Sequence, residues 1–307
     1  MRRSWKVFYL ILGFLIGFGV LFALALFGVR APFRWTVVKK VMGYVTPENT
    51  CILVVGQDNI KPLRSDTIIL AFVNTKSGEV LLLSVPRDSR LPIPGVGYDK
   101  ANHAYARGGI ELLKKTLEGS LGIEIPYFVE VNYEAFEKVV DALGGVEVEV
   151  EKPMYYVDRA QGLFINLKPG RQVLNGEKAL QYVRFRHDPL GDIGRIKRQQ
   201  AFLQALIAKA QDPSTLARLP ALFESLKQAL RTNIPLENIL QLALWFKGLE
   251  EKAVTMDILP GEPVYLNGLS FWEPQLDVAR EKIHEFFARE RSGGEGSGKN
   301  PEGQGGH

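Results

Sequence analysis

Asp58, Arg64, Asp66, Arg87 and Asp88 flank three short apolar runs, 51–55, 67–73 and 80–85. Carboxylates beside clustered arginines suit one kind of ligand, a polyanion such as pyrophosphate with a divalent cation between acid and phosphate. Asp58 and Asp66 are the candidates for holding Mg²⁺, with Mn²⁺ as a substitute, because such ions take one or two carboxylates and fill the rest of their shell from phosphate and water. Asp88 is a third possible ligand, or a partner that orients Arg87. A second basic group, Arg184, Arg186, Arg195 and Arg198, lies well downstream. In Gly194-Arg195-Ile196-Lys197-Arg198-Gln199, the residues Arg195, Arg198 and Gln199 stand at i, i+3, i+4 and share one face at a predicted helix start. Free N–H groups at such a start favour anions. Guanidinium groups there oppose the helix macrodipole unless an anion sits between them. Tyr182–Arg186 alternates like a strand, which would point Arg184 and Arg186 to the same side. Lys100 follows a Pro/Gly-rich loop and is a further candidate phosphate contact, whereas His103 reads as a structural neighbour. Any one of these charges alone would read as a solvated surface group. The set reads as a site only if the fold brings it together.

The elements suggest that it does. The apolar runs 51–55, 67–73 and 80–85 are short and rich in Val, Ile and Leu, as buried strands are. Asn74–Glu79 is a turn, so 67–73 and 80–85 form an antiparallel hairpin. One strand runs out and the next runs back. Arg64 and Asp66 therefore lie at the same sheet edge as Arg87 and Asp88, and Asp58 joins them if 51–55 ends there too.

Further along, 110–121 reads as a helix, 128–132 as a strand, and 134–143 as a helix stopped by Gly144-Gly145. Val146–Val150 alternates as a half-exposed strand. Helices are expected over 194–211, 214–230 and 236–247, a late strand over 255–259, and a closing helix over 275–289. This mixture predicts an α/β fold, a three-layer α/β/α sandwich with a mixed central sheet.

The uncharged stretch from Val7 to Val29, preceded by Arg2, Arg3 and Lys6, is long enough to cross a bilayer. It reads as one uncleaved N-terminal transmembrane helix with its N-terminus cytoplasmic and the following domain extracytoplasmic. The expected organisation is 1–35 as stub and anchor, 36–50 as connector, 51–289 as one catalytic domain, and 290–307 as a disordered Gly-rich tail. The net charge of +4 over 307 residues is too small to imply a nucleic-acid partner. One cysteine, Cys51, excludes an intramolecular disulfide and a Cys-rich metal site; it reads as a small buried strand residue.

Read together, the motifs resemble the LytR–CpsA–Psr family of bacterial envelope proteins, over about residues 50–285 and including the anchor. They are Gly56-Gln57-Asp58, Arg64-Ser65-Asp66, Ser84-Val85-Pro86-Arg87-Asp88, Lys100–Tyr105 with Gly108-Gly109, Asp141–Val146, Leu174-Asn175-Gly176 with Ala179-Leu180, and Arg184-Phe185-Arg186 through Asp192 to Arg195 and Arg198-Gln199. Their order and spacing make the resemblance specific. It implies a Mg²⁺-dependent phosphotransferase that moves a glycan polymer from a polyprenyl-pyrophosphate carrier to peptidoglycan with formation of a phosphodiester link, at the outer face of the cell membrane. The polyprenyl tail would occupy an apolar tunnel between sheet and helices. By motif matching, Asp58, Asp66 and Arg87 form the catalytic set, and Asp58 and Asp66 the metal-associated carboxylates. Arg87, Lys100, Arg184, Arg186, Arg195, Arg198 and Gln199 match pyrophosphate-binding positions. The chain departs from the family pattern at Ile60, where many members carry arginine, leaving Lys61 or Arg64 for that outer contact. Two other functions fit the same pocket: non-catalytic binding of polyprenyl phosphate, and hydrolysis of the pyrophosphate. A role in transcription lacks any helix-turn-helix pattern.

Overall fold

The computed structural model describes residues 49–57, 65–159, 162–186, 191–212, 230–235 and 253–289, with isolated positions between 238 and 249. The expected anchor, most of the connector, the tail, most of the helices at 214–230 and 236–247, and the site candidates Asp58 and Arg64 lie outside the described residues. Among the described residues, no helix is long and apolar enough to cross a membrane.

The described residues open with three antiparallel strands, β1 (Asn49–Gln57), β2 (Ser65–Asn74) and β3 (Glu79–Ser84). The β2–β3 hairpin is set by its turn. Buried Asn74 accepts hydrogen bonds from the backbone N–H groups of Lys76 and Ser77, both at 3.0 Å. Its amide donates to the carbonyls of Phe286 and Arg289, which fastens the C-terminal helix to the same turn. A second hairpin follows, β4 (Arg90–Ile93) and β5 (Gly97–Lys100), and leads directly into α1 (Ala101–Leu121). The helix kinks at Gly108-Gly109, where Gly109 takes a positive φ of 61° that L side chains rarely adopt. The predicted helix 110–121 is the part beyond this kink; the turns before it were not anticipated.

Next come β6 (Tyr127–Val131), α2 (Tyr133–Ala142), β7 (Val146–Val150), β8 (Met154–Asp158), β9 (Leu163–Leu167), β10 (Gly170–Leu174), α3 (Gly176–Arg184) and α4 (Gly191–Gln211). The described residues finish with β11 (Leu230–Thr232), β12 (Val254–Ile258), the hairpin β13 (Gly261–Leu266) and β14 (Leu269–Pro274), and α5 (Leu276–Ala288). The central sheet has strand order β11-β6-β1-β2-β3-β12. Strands β6 and β12 run parallel to their neighbours β1 and β3, so the sheet is mixed, as expected.

Two caps position the helices that matter. Asn132 and Asn175 accept from Ala135 N and Lys178 N at 2.8 and 3.0 Å, starting α2 and α3. Helix α2 stops at the predicted Gly144-Gly145 pair. Gly176 then lets α3 cross α2 closely: a Cβ there would lie 2.5–2.8 Å from backbone atoms of Glu137. Asp141 clinches the crossing by accepting from Gly176 N at 2.7 Å.

Strand alternation divides the sheet into two faces. Cys51, Leu53 and Val55 of β1, Ile68, Leu70 and Phe72 of β2, and Leu81 and Leu83 of β3 pack with Ala104, Leu113 and Leu117 of α1 and Ile283 and Phe286 of α5 in one core. The opposite face looks toward α2, α3 and α4. These helices build a second core with β7–β10 through Val140, Val146, Met154, Ile165, Ala179, Tyr182 and Phe202.

Candidate functional site

Between the second face of the sheet and α2, α3 and α4 lies a cavity of about 300 Å³. Its lining is graded along each element. On α4, one face carries Arg195, Gln199, Phe202, Leu203 and Leu206 in order, from guanidinium through amide to hydrocarbon. Helix α2 runs from Asn132 and Tyr133 through Phe136 to Val139 and Val140. Helix α3 runs the other way, from Leu180 to Val183 and Arg184. The sheet contributes Val54, Ile69, Val129 and Val131, with Asp66 and Gly56 at the strand ends. One end of the cavity is therefore cationic and the body is apolar.

The cationic end is built around Asp66, the second residue of β2. The hairpin brings Arg87 back beside it, as the turn predicted. Arg87 Nη1 donates to Asp66 Oδ1 at 2.7 Å. Arg186 Nη2 donates to Oδ2 at 2.9 Å. Arg195, only 2% exposed, donates from Nη2 to the backbone carbonyl of Asp66 at 3.3 Å, with Nη1 4.0 Å from Oδ1. Burial opposes ionisation of Asp66, but Arg186, Arg195 and Arg87 more than offset it and hold the carboxyl below its usual pKa. Arg184 stacks at 4.4 Å over the ring of Tyr133 on the facing helix. These four guanidinium groups outnumber the Asp66 carboxylate, so this end of the cavity favours an anion.

Other predicted residues take supporting positions. Arg198 is 5% exposed and donates to Glu151 Oε1 at 3.1 Å and to the Phe185 carbonyl at 2.7 Å, pinning the segment that carries Arg186. Gln199 donates to the Val183 carbonyl at 3.3 Å and also lines the cavity. Lys100 pairs with Asp88 at 2.9 Å, and Asp88 lies 3.9 Å from Arg87 Nε; Lys100 therefore adjoins the arginine cluster at its rim. The Arg87 loop is held to α1 because Asn102 N and Ala101 N donate to the carbonyls of Arg87 and Ser89.

Two local expectations are corrected. Tyr182–Arg186 is not a strand: α3 continues to Arg184 and Phe185 turns extended. Gly176, Ala179 and Tyr182 are the buried residues of α3, and their helical spacing after the Asn175 cap was the signal that outweighed the five-residue alternation. Both arginines nevertheless reach the cavity. Helix α4 begins at Gly191, not 194, so Arg195 stands beyond its first turn and meets the site through its side chain. Tyr133 and Glu151 were missed, because nothing local marks a ring or carboxylate that partners an arginine about fifty residues away in sequence.

Among the described residues, no group of three or more His, Cys, Asp or Glu could hold a metal ion. A Mg²⁺ ion that takes most of its shell from phosphate and water needs no such group, and the ionised, hard oxygens of Asp66 fit one ligand of this kind. Its second expected carboxylate, Asp58, lies outside the described residues.

Residues 35–286 match the LytR_cpsA_psr family. The chain belongs to the LytR–CpsA–Psr family. Regulatory protein MsrR of Staphylococcus aureus is 39% identical over 213 residues, covering 68% of this chain and 64% of MsrR. The chain thus spans just under two thirds of that relative. The polyisoprenyl-teichoic acid–peptidoglycan teichoic acid transferase TagU of Bacillus subtilis is 34% identical over 212 residues, 68% of this chain and 67% of TagU. Among solved structures, B. subtilis TagV superposes with a TM-score of 0.69 at 29% identity over 79% of this chain and 98% of TagV. TagT bound to LIIa-WTA superposes with a TM-score of 0.65 at 31% identity, over 79% of this chain and 92% of that one. The mixed α/β fold with a central mixed sheet is the fold of these LytR–CpsA–Psr structures.

Proposed function

We propose that this LytR–CpsA–Psr protein moves a glycan polymer from a polyprenyl-pyrophosphate carrier onto peptidoglycan, forming a phosphodiester link. The observation that carries this reading is the gradient along α2, α3 and α4, with guanidinium groups at one end of the cavity and hydrocarbon along the rest. Such a cavity is complementary to an amphiphile with an anionic head and a long apolar tail. The name of TagU supplies the reaction class by analogy.

In this reading Arg87, Arg184, Arg186 and Arg195 exchange their contacts with Asp66 and Tyr133 for pyrophosphate oxygens. They hold the head group, and they stabilise the charge left on the polyprenyl phosphate as it departs. The attacking nucleophile is a sugar hydroxyl of the acceptor; the glycan-side phosphorus forms a new P–O bond as its bond to the bridging oxygen breaks, and the hydroxyl proton ends on the departing polyprenyl phosphate. Asp66, ionised beside its arginines, is a weak base; before the head group binds it orients the guanidinium groups, and afterwards its oxygens would be free for Mg²⁺. Bound Mg²⁺, held by Asp66 and Asp58, would supply neutralisation of pyrophosphate charge. The stretch Val7–Val29 would anchor the chain as a single membrane pass with its N-terminus cytoplasmic, and so keep the site near its lipid substrate at the outer membrane surface.

The test uses the full chain in detergent, a polyprenyl-pyrophosphate-linked glycan and purified peptidoglycan. Transfer is expected with Mg²⁺ and lost with a chelator and in Arg186→Ala. Release of free phosphorylated glycan without an acceptor adduct would instead identify a pyrophosphatase. Retention of lipid with no turnover would identify a binding protein.

A further inference from the structure

The two small hairpins beside the arginine cluster form one continuous surface. Trp272 N donates to the Asp88 carbonyl at 3.0 Å, and Ser89 bridges Trp272 in parallel, so β14 lies alongside the start of β4. With the pairings β13–β14 and β4–β5, this aligns four strands in the order β13-β14-β4-β5. Side chains alternate across them. Leu91 and Ile93 point inward and are 1% and 2% exposed in the first core. The outer side carries Asp88, Arg90, Lys100, Tyr98, Phe271 and Glu273.

These outer residues make a particular kind of surface. Arg90 lies 4.4 Å over the ring of Tyr98, whose exposure is 64%, and 3.3 Å from Glu273. Lys100 lies 5.2 Å over Phe271 and pairs with Asp88. Each cation thus already has a carboxylate and a ring. Glu262, the cross-strand partner of Glu273, adds another negative charge. A polyanion would meet more carboxylates than cations here and would be repelled. An uncharged ligand with C–H faces for an aromatic ring and hydroxyls for fixed planar polar groups would be matched. The surface is backed by the core through Leu91 and Ile93, and it adjoins the site, because Asp88 is the neighbour of Arg87.

We propose that this outer β face is a second binding site, for an uncharged β-1,4-linked N-acetylhexosamine strand. Tyr98 stacks on a sugar ring, while Arg90, Glu273 and Asp88 take its hydroxyl and amide groups. Naming this strand as the acceptor rests on the transferase reading; its binding here does not. A glycan laid on this face runs toward Arg87, and so toward the end of the cavity that takes the pyrophosphate.

The probe is a soluble β-1,4-linked N-acetylglucosamine tetramer, titrated into the full chain in detergent and followed by ligand-observed NMR. Wild type is expected to bind. Tyr98→Ala should weaken binding about tenfold, the scale of one lost aromatic contact, and Tyr98→Trp should restore it. Because Tyr98 is exposed, Tyr98→Ala should keep the wild-type melting temperature. It should also retain polyprenyl pyrophosphate as wild type does in native mass spectrometry. The proposal is overturned if the tetramer does not bind wild type or binds Tyr98→Ala equally well. It is also overturned if a glycerol-phosphate polymer binds in a Tyr98-dependent way, which would make this the donor's surface. If the tetramer binds as expected but neither wild type nor Tyr98→Ala retains polyprenyl pyrophosphate, the β face stands as a saccharide site and the transferase reading falls.

Discussion

The central sheet has two faces built from the same strands, and they do different work. On one, Leu53, Leu70 and Leu83 are at most 1% exposed and close-packed against α1 and α5. On the other, Val54, Ile69 and Val129 border a cavity of about 300 Å³. Successive residues of one strand therefore face a packed core and an open cavity in alternation. Apolar side chains on the second face contribute less to folding than their number suggests, because part of the space beside them has no packing atoms. The second face also ends in arginines, for which the packed face has no counterpart, and the proposed specificity for an anionic head group rests on them.

The largest expected effect breaks the comparison at its charged end. Arg186→Ala removes a half-exposed guanidinium and should lower transfer by about a hundredfold or more, the scale of one lost charge-stabilising donor, with little change in melting temperature. Normal transfer by this variant would remove the arginine cluster from the mechanism. Leu53→Ala on the packed face should do the reverse. Urea unfolding should show a loss of about 2–5 kcal/mol, while lipid retention per folded molecule stays at the wild-type level.

A third variant sharpens the contrast within the cavity. Val129→Phe fills space on the second face and should cost less than about 1–3 kcal/mol, the usual range for enlarging a residue in a full core. It should still abolish retention of polyprenyl pyrophosphate. A large destabilisation would mean that this face is packed after all. A smaller effect concerns Asp66. Its pKa is lowered in the folded protein, so its stabilising contribution is complete above the ordinary aspartate range and is lost as pH falls through the depressed value. The stability gap between wild type and Asp66→Asn, measured by chemical denaturation, should accordingly be present at neutral pH and close in strong acid. The smallest signal is Cys51. Burial, with a lesser push from Glu118, raises its thiol pKa, so it should resist alkylation at pH 8 until the protein unfolds.

How far the sequence alone reached depended on the distance over which each contact is decided. The β2–β3 hairpin was legible because its turn residues and apolar runs are contiguous, and its geometry places Arg87 against Asp66 without further information. The stop of α2 at Gly144-Gly145 and the burial of Cys51 were legible for the same local reason. The α3 segment was misread because five alternating residues cannot by themselves distinguish a strand from the end of a helix. The short hairpins β8–β9 and β13–β14 were missed because pairing with neighbouring structure, more than their own propensity, settles their form.

Residue types and spacing determined that this chain carries a hairpin edge rich in Asp and Arg, a second arginine group beside a helix, and apolar faces enough for a sheet covered on both sides. The tertiary structure alone decided that Arg186 and Arg195 close on Asp66 across more than a hundred residues, and that α2, α3 and α4 stand off the sheet far enough to leave a graded cavity. The reason is physical. Local pattern specifies which side of an element is apolar, but the spacing between two apolar faces depends on the side chains of both, and those come from distant parts of the chain.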